Sequence, residues 1–163
     1  MTNMAFELAF RDKGIPFFRA DVGDRNVIRA MKERGWLLGG EGSGHILNLK
    51  KTNTDDGLIT ALQILEIIDR EKKSLAQIGN TVTKYPQILK NIKCRDPESL
   101  LSNHTFCSEI RVCTGRLGEK GRILVRKSGT EPLVRVMVEG QNRQEIENIG
   151  GHLESVAVSI RQF

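Results

Sequence analysis

Residues 121–140 read GRILVRKSGTEPLVRVMVEG, two β-branched runs around a polar loop. Ile123 to Val125 and Leu133 to Val138 are residue types that suit a pleated, half-buried surface, and Gly129 and Pro132 punctuate the segment between them. The stretch therefore reads strand, loop, strand. Arg126 ends the first strand and Arg135 sits inside the second, so two guanidinium groups can converge on the occupant of the loop, which should be an anion. Ser128 and Thr130 add hydroxyl donors, and Gly129 lets the backbone turn its N–H groups inward as a concave nest of the kind that suits phosphate. Pro132 holds Glu131 extended and restarts a strand. A plain glycine turn with incidental surface arginines explains the same residues about as well on local grounds.

Working outward, the flanks supply helices. Asn142 caps a final helix through Ile146, Ile149, Leu153, Val156 and Ile160, which Gly150-Gly151 weakens by about 1 kcal/mol per glycine relative to alanine. Upstream, Ile88 to Cys94 reads as a strand, Asp96-Pro97-Glu98 starts a helix with proline in its first turn, and residues 105–117 are helical. Residues 88–163 thus read as an α+β domain with helices packed on one face of a mixed sheet. Residues 81–87, with Pro86, read as a linker.

Residues 1–80 alternate α and β, the pattern of a layered α/β domain. Met4 to Lys13 is a short amphipathic helix that Gly14 terminates, and Ile15 to Phe18 reads as a strand. Asp24 is an N-cap for a helix with Val27, Ile28 and Met31 on one face, stopping at Gly35. A strand from Trp36 to Leu38 enters a glycine loop and leaves it through Ile46, Leu47 and Leu49. Thr54, Asp55 and Asp56 start a helix whose wide apolar face, Leu58 to Ile68, is expected in the core; Ser74 to Asn80 adds a short one. Both aspartates are read as caps rather than metal ligands, because no third carboxylate or histidine lies at ligand spacing.

The glycine loop, Gly39-Gly40-Glu41-Gly42-Ser43-Gly44-His45, is not a nucleotide motif. Its glycines make G-x-G-x-G followed by a strand, where the dinucleotide fingerprint needs G-x-G-x-x-G opening a helix, and the chain has no Gly-Lys-Ser/Thr for a P-loop. What remains is backbone that can approach a ligand closely, with Glu41 and Ser43 as an acceptor and a donor suited to adjacent sugar hydroxyls. His45 is a candidate acid/base or sugar donor, and equally a structural histidine at a strand start.

Together these motifs carry a resemblance. Arg126-Lys127-Ser128-Gly129-Thr130-Glu131-Pro132 before a Val-rich strand resembles the phosphate-binding loop in the last domain of the α-D-phosphohexomutases, and the glycine loop resembles the sugar-binding loop of that superfamily. Val22-Gly23-Asp24-Arg25 ahead and Arg135 to Gly140 behind point to its branch acting on amino-sugar phosphates. Two positions depart from the pattern: Gly42 stands where a larger polar residue is common, and Lys127 where proline is usual. The resemblance implies the end of a third domain plus the whole of a fourth. It also implies an isomerase that interconverts glucosamine 6-phosphate and glucosamine 1-phosphate for cell-wall precursor synthesis. Glu41, Ser43 and His45 would hold the sugar, joined by Gly23, Asp24 and Arg25, and Arg126, Ser128, Gly129, Thr130 and Arg135 the non-reacting phosphate. The family reaction uses a phosphoserine and a magnesium ion held by aspartates. Neither Thr-Ala-Ser-His-Asn-Pro nor Asp-Gly-Asp-x-Asp-Arg occurs in this chain, so no metal ligands, no bound cofactor and no turnover by the chain alone are expected. The partners implied are a phosphorylated amino sugar, the family's N-terminal domains and a second copy in a homodimer.

Composition narrows the alternatives. The chain has 163 residues, 39% hydrophobic, with no apolar run near the roughly 18 residues of a spanning helix and no leader pattern, so membrane partners are set aside and the cytoplasm is the expected compartment. Cys94, Cys107 and Cys113 are odd in number and form no CxxC, which suits reduced thiols. The net charge of +5 raises nucleic acid as a partner. Residues 1–75 hold 12 Lys/Arg against 11 Asp/Glu and residues 76–163 hold 13 against 9, so the excess lies with the anion loop. With 5% aromatics there are few stacking platforms, and a small phosphorylated substrate fits better than nucleic acid. A stand-alone phosphosugar-binding or regulatory module shares both loops and stays open.

Overall fold

A computed structural model describes residues 1–160. The chain divides into two compact units, residues 1–83 and the part from Lys84 onward.

The second unit is a three-stranded sheet with helices on one face. β3 (Gln87–Lys93), β4 (Gly121–Lys127) and β5 (Leu133–Gly140) lie in the order β3-β5-β4, every pairing antiparallel. The sheet is therefore antiparallel rather than mixed. β4 and β5 are joined by a short loop, which returns the chain alongside itself, and the helices between β3 and β4 bring it back to the far edge instead of adding a parallel neighbour. Val134, Val136 and Val138 alternate along β5 into one core with Ile92, Phe106, Cys113, Leu117, Ile146, Ile149, Leu153 and Ala157. α6 (His104–Leu117) and α7 (Arg143–Ile160) cover that face. Each fully buried aliphatic side chain contributes about 1.5–3 kcal/mol, so this cluster dominates the unit's stability.

Local signals set the helix starts. Asp96 accepts from the N–H groups of Glu98 and Ser99 to cap α5 (Pro97–Ser102), and Asn103 accepts from Phe106 to cap α6. Asn142 accepts from Glu145 at the head of α7. The two glycines of α7 differ in kind. A Cβ on Gly150 would lie 2.3 Å from Ile88 Cδ1, so Gly150 allows α7 to approach the sheet, whereas a Cβ on Gly151 meets nothing within 4 Å.

The first unit is built around a hairpin. β1 (Leu38–Gly40) pairs antiparallel with β2 (Ile46–Asn48), α2 (Asp24–Arg34) lies against β1 and α3 (Gly57–Glu71) against β2, and the unit also holds α1 (Met4–Asp12) and α4 (Leu75–Gly79). β1 starts two residues later than Trp36 and runs into the glycine loop. Ile15 to Phe18 is not a strand. The Ile15 N–H bonds to the Phe10 carbonyl, Phe17 stacks on Phe10 with ring centroids 5.8 Å apart, and the Arg34 guanidinium lies 3.5 Å over the Phe18 ring. Side-chain partners hold this apolar run with no β neighbour. Asp24 is the first helical residue rather than the cap; Gly23, at φ +119°, takes the cap position. Asp56 caps α3, but the apolar face of that helix is not core: Leu58 is 73% exposed and Leu62 and Leu65 nearly as open. Ser74 and Gln77 form a capping box on α4.

Gly151→Ala is expected to stabilise the fold by up to ~1 kcal/mol through helix propensity. Gly150→Ala should instead destabilise by about 1 kcal/mol as overpacking outweighs the same gain, and Ile88→Val should relieve it. Urea melts of the three variants and the double mutant test this; additivity of Gly150→Ala and Ile88→Val would refute the contact. Burial, with Glu109 nearby, pushes the Cys113 thiol above its ordinary value, against a smaller opposing effect of Arg116. Alkylation at neutral pH should therefore modify half-buried Cys107 well before Cys113, read by peptide mass mapping.

Candidate functional site

The β4–β5 loop is shaped by the pairing of its strands. Arg126 of β4 stands directly opposite Arg135 of β5, with Cβ atoms about 5 Å apart as in any cross-strand pair. Because Val134 and Val136 point into the helix-covered core, alternation places Arg135, and with it Arg126, on the opposite face. Two like charges directly opposite destabilise a sheet unless something neutralises them. Glu131 does so in part, its carboxylate 3.2 Å from Arg135 Nη2. The buried Arg135 Nε has no partner, and among the described residues Arg126 makes no ion pair. A second acceptor is missing from this pair of guanidinium groups, and a phosphate offers several oxygens at once.

The loop between them is pinned from within. The Ser128 N–H donates to the Leu133 carbonyl at 2.9 Å, the Leu133 N–H to the Glu131 carbonyl at 2.8 Å, and the Cys94 N–H to the Pro132 carbonyl at 2.9 Å. Ser128 is almost buried and Thr130 exposed, with the Thr130 N–H at 3.5 Å from Ser128 Oγ. Gly129 is not in the left-handed region, so the loop does not form the αR–αL nest expected of it, and the Ser128 amide is already engaged. Lys127 points elsewhere: its ammonium pairs with Glu98 at the start of α5, and the hydrogen bond to that carboxylate raises its pKa.

The glycine loop is the turn of the β1–β2 hairpin. The Glu41 N–H bonds to the His45 carbonyl at 2.9 Å and the Gly44 N–H to the Glu41 carbonyl at 3.1 Å, with Gly44 at φ +104°, a backbone that L side chains rarely adopt. Glu41, Ser43 and His45 are thus displayed on one tight turn. Among the described residues the Glu41 carboxylate and Ser43 hydroxyl have no hydrogen-bond partner. His45 Nδ1 instead contacts the Asp55 carboxylate.

That contact revises one reading of the pair Asp55-Asp56. Asp56 alone caps α3, accepting from Leu58 and Ile59 at 2.9 and 3.0 Å. Asp55 turns to the histidine, a link across ten residues that no local spacing rule signals. Gly23, Asp24 and Arg25 form the entry to α2, where the Asp24 carboxylate accepts from the Arg25 N–H at 2.8 Å and Arg25 is exposed. Also unforeseen is the pair of Arg122 with the buried Glu139, cross-strand partners on β4 and β5. Among the described residues no group of three or more His, Cys, Asp or Glu side chains is placed to hold a metal ion. No helix among them is long and apolar enough to cross a membrane.

Known proteins share this organisation. The family described as phosphoglucomutase/phosphomannomutase, α/β/α domain III, matches residues 1–85, and its C-terminal domain matches residues 89–151. The chain is 54% identical over 142 residues to a phosphoglucosamine mutase of Herminiimonas arsenicoxydans, covering 87% of this chain and 32% of that protein. It is 44% identical over 163 residues to a phosphoglucosamine mutase of Thioalkalivibrio sulfidiphilus, covering 98% and 36%. The crystal structure of Aspergillus fumigatus N-acetylphosphoglucosamine mutase in complex with GlcNAc-6P and magnesium has the same fold, with a TM-score of 0.78 at 17% identity over 94% of this chain and 38% of that one. The chain spans about a third of the length of the curated relatives it matches. With domain III matched in its first half and the C-terminal domain in its second, this chain belongs to the phosphoglucomutase/phosphomannomutase family.

Proposed function

We propose that this chain carries the sugar- and phosphate-recognition parts of a cytoplasmic phosphoglucosamine mutase, an isomerase that interconverts glucosamine 6-phosphate and glucosamine 1-phosphate and supplies amino-sugar precursors. The observation that carries this reading is the in-register pair Arg126 and Arg135, whose guanidinium groups lack a full set of acceptors. Relatives bearing the phosphoglucosamine mutase name over nearly the whole of this chain support it.

In this reading Arg126 and Arg135 hold the phosphate that does not react, with Ser128, Gly129 and Thr130 closing over it. Glu131 then gives up Arg135 to the incoming phosphate, whose charge is larger and whose oxygens match a guanidinium fork. Glu41 and Ser43 take ring hydroxyls from the hairpin turn, and Gly23, Asp24 and Arg25 face the sugar from the start of α2. These residues bind and orient; they do not attack phosphorus. Their contribution to turnover is positional, which in phosphoryl transfer is a large share of the catalysis, because a misplaced reacting oxygen loses most of the rate. The phosphorylated serine and the magnesium ion of the family reaction would be provided outside the residues present here, since neither motif occurs in the chain.

Titrating glucosamine 6-phosphate into the chain, followed by amide chemical shifts, should perturb the β4–β5 loop. A hydrogen bond to a charged group is worth roughly 1.5–3 kcal/mol, so Arg126→Ala or Arg135→Ala should weaken binding about ten- to a hundredfold. Lys127→Pro should bind normally, because its side chain serves Glu98 and it lies on an edge strand, where proline is tolerated. Binding lost in Lys127→Pro and kept in Arg126→Ala would move the phosphate elsewhere. Glucosamine 6-phosphate isomerisation by the purified chain, assayed with magnesium and a sugar bisphosphate, should not exceed the blank; turnover above it would contradict the assignment of chemistry outside these residues.

A further inference from the structure

The register of β3 and β5 puts a third residue in line with the two arginines. Asn91 stands opposite Arg135 on one side as Arg126 does on the other, so Asn91, Arg135 and Arg126 form one row across the sheet. Ile88 and Ile92 turn toward the helix-covered core, and alternation along β3 therefore sends Asn91 to the open face with the guanidinium groups. Directly opposite residues hold their Cβ atoms about 4.5–5.5 Å apart, which brings a carboxamide within reach of its neighbour. Asn91 is exposed, and among the described residues its side chain makes no hydrogen bond.

Arg135 lacks what Asn91 can supply. Its Nε is buried without a partner, while Nη2 reaches out to the Glu131 carboxylate, which is more than half exposed. An anion arriving from solvent therefore meets the Nη edge. The Nε–H has to find its acceptor within the sheet, because a buried N–H of a charged group is costly to leave unbonded. Of the side chains that the register sets around Arg135 on this face, Leu89, Leu124, Leu133 and Met137 are apolar, and Arg126 and Lys93 only donate. The Asn91 carbonyl is the acceptor among them. We propose that Asn91 is a positioning residue of the anion site: its Oδ1 accepts from Arg135 Nε as phosphate displaces Glu131, which fixes the plane of the guanidinium and leaves both Nη groups to the phosphate oxygens. Glu131 is exchanged for the ligand, and the bond from β3 keeps the fork aimed. This role rests on the phosphate reading of the loop given above.

The Nε–H itself reports on the proposal. In the 15N-labelled chain the Arg135 Nε–H signal, assigned by its loss in Arg135→Lys, is followed while glucosamine 6-phosphate is added. At saturation it should move downfield and exchange more slowly with water, alongside shifts of the amides from Ser128 to Glu131. Asn91→Ala should abolish both changes at Nε and weaken binding about tenfold, the lower end of what loss of a hydrogen bond to a charged group costs. Leu89→Ala, which trims the next side chain on the same face of β3, should leave the Nε signal and the affinity as they were. Loop amides that shift while Nε–H stays unmoved and fast-exchanging in the unsubstituted chain, where no variant has to fold, overturn the proposal and leave the phosphate reading standing. Weaker binding in Asn91→Ala with the Nε changes intact would make Asn91 a phosphate contact in its own right and overturns the positioning role. A saturating titration that moves neither the loop amides nor Nε–H defeats the phosphate reading, and the proposal with it.

Discussion

Seven consecutive cross-strand pairs between β4 and β5 are the constraint on which the second unit depends. They send Val134, Val136 and Val138 into the core beside Ile123 and Val125, and in the same stroke set Arg126 against Arg135 on the other face. A slip of one residue would exchange the two sets, burying guanidinium groups and exposing valines. The burial of three valines, at roughly 1.5–3 kcal/mol each, far outweighs the repulsion of two arginines across a sheet, which is a fraction of a kcal/mol to about 1. Folding therefore forces a charge arrangement that the free chain would avoid. That excess positive potential is what recommends the loop as an anion site, because the stability of the sheet is secured on its opposite face.

Arg122 and Glu139 show the same register handled differently. They too are cross-strand partners, four pairs along, but there a carboxylate faces the guanidinium and the carboxylate side is fully buried. At Arg126 and Arg135 the internal carboxylate comes from Glu131 in the loop, more than half exposed, and reaches only one of the two arginines. A buried pair of this sort is costly to break, whereas an exposed pair is worth little and exchanges readily. The sheet thus carries one arginine paired with a buried carboxylate and, at the other pair, two arginines that share a single exposed one.

The two units differ in how their order is maintained. The second has a continuous core from Ile92 to Ala157. In the first, buried apolar side chains are few, Ala5, Met31 and Leu47 among them, and side-chain links take a larger part: Arg19 to Glu7 and to the Thr2 carbonyl, Asn48 to Gln63, His45 to Asp55. Leu58, Leu62 and Leu65 form an apolar face on α3 that remains exposed. The glycine loop on this scaffold is held by the backbone hydrogen bonds of its hairpin turn and by the His45–Asp55 contact, beside the packing of Leu47.

Elements with strong local chemistry were legible in the sequence. The caps at Asp56, Ser74, Asp96 and Asn142, the terminating Gly35, the β-branched runs of β4 and β5 and the glycine loop between two short strands all follow from interactions within a few residues, and they appear where the residues place them. The paired motifs also carried the family. Tertiary structure alone decided the remainder. Ile15 to Phe18 has the composition of a strand, yet a strand needs a partner and the aromatic and cation–π contacts reached it instead. The face of α3 is apolar by sequence, but burial depends on what packs against it. Gly150 and Gly151 are identical in sequence and opposite in role, because only one faces Ile88. Asp55 and Asp56 likewise differ only in what lies across from them. Spacing along a chain encodes neighbours within a turn or a hairpin; contacts made at longer range depend on the position of the whole backbone, which no stretch of residues specifies by itself.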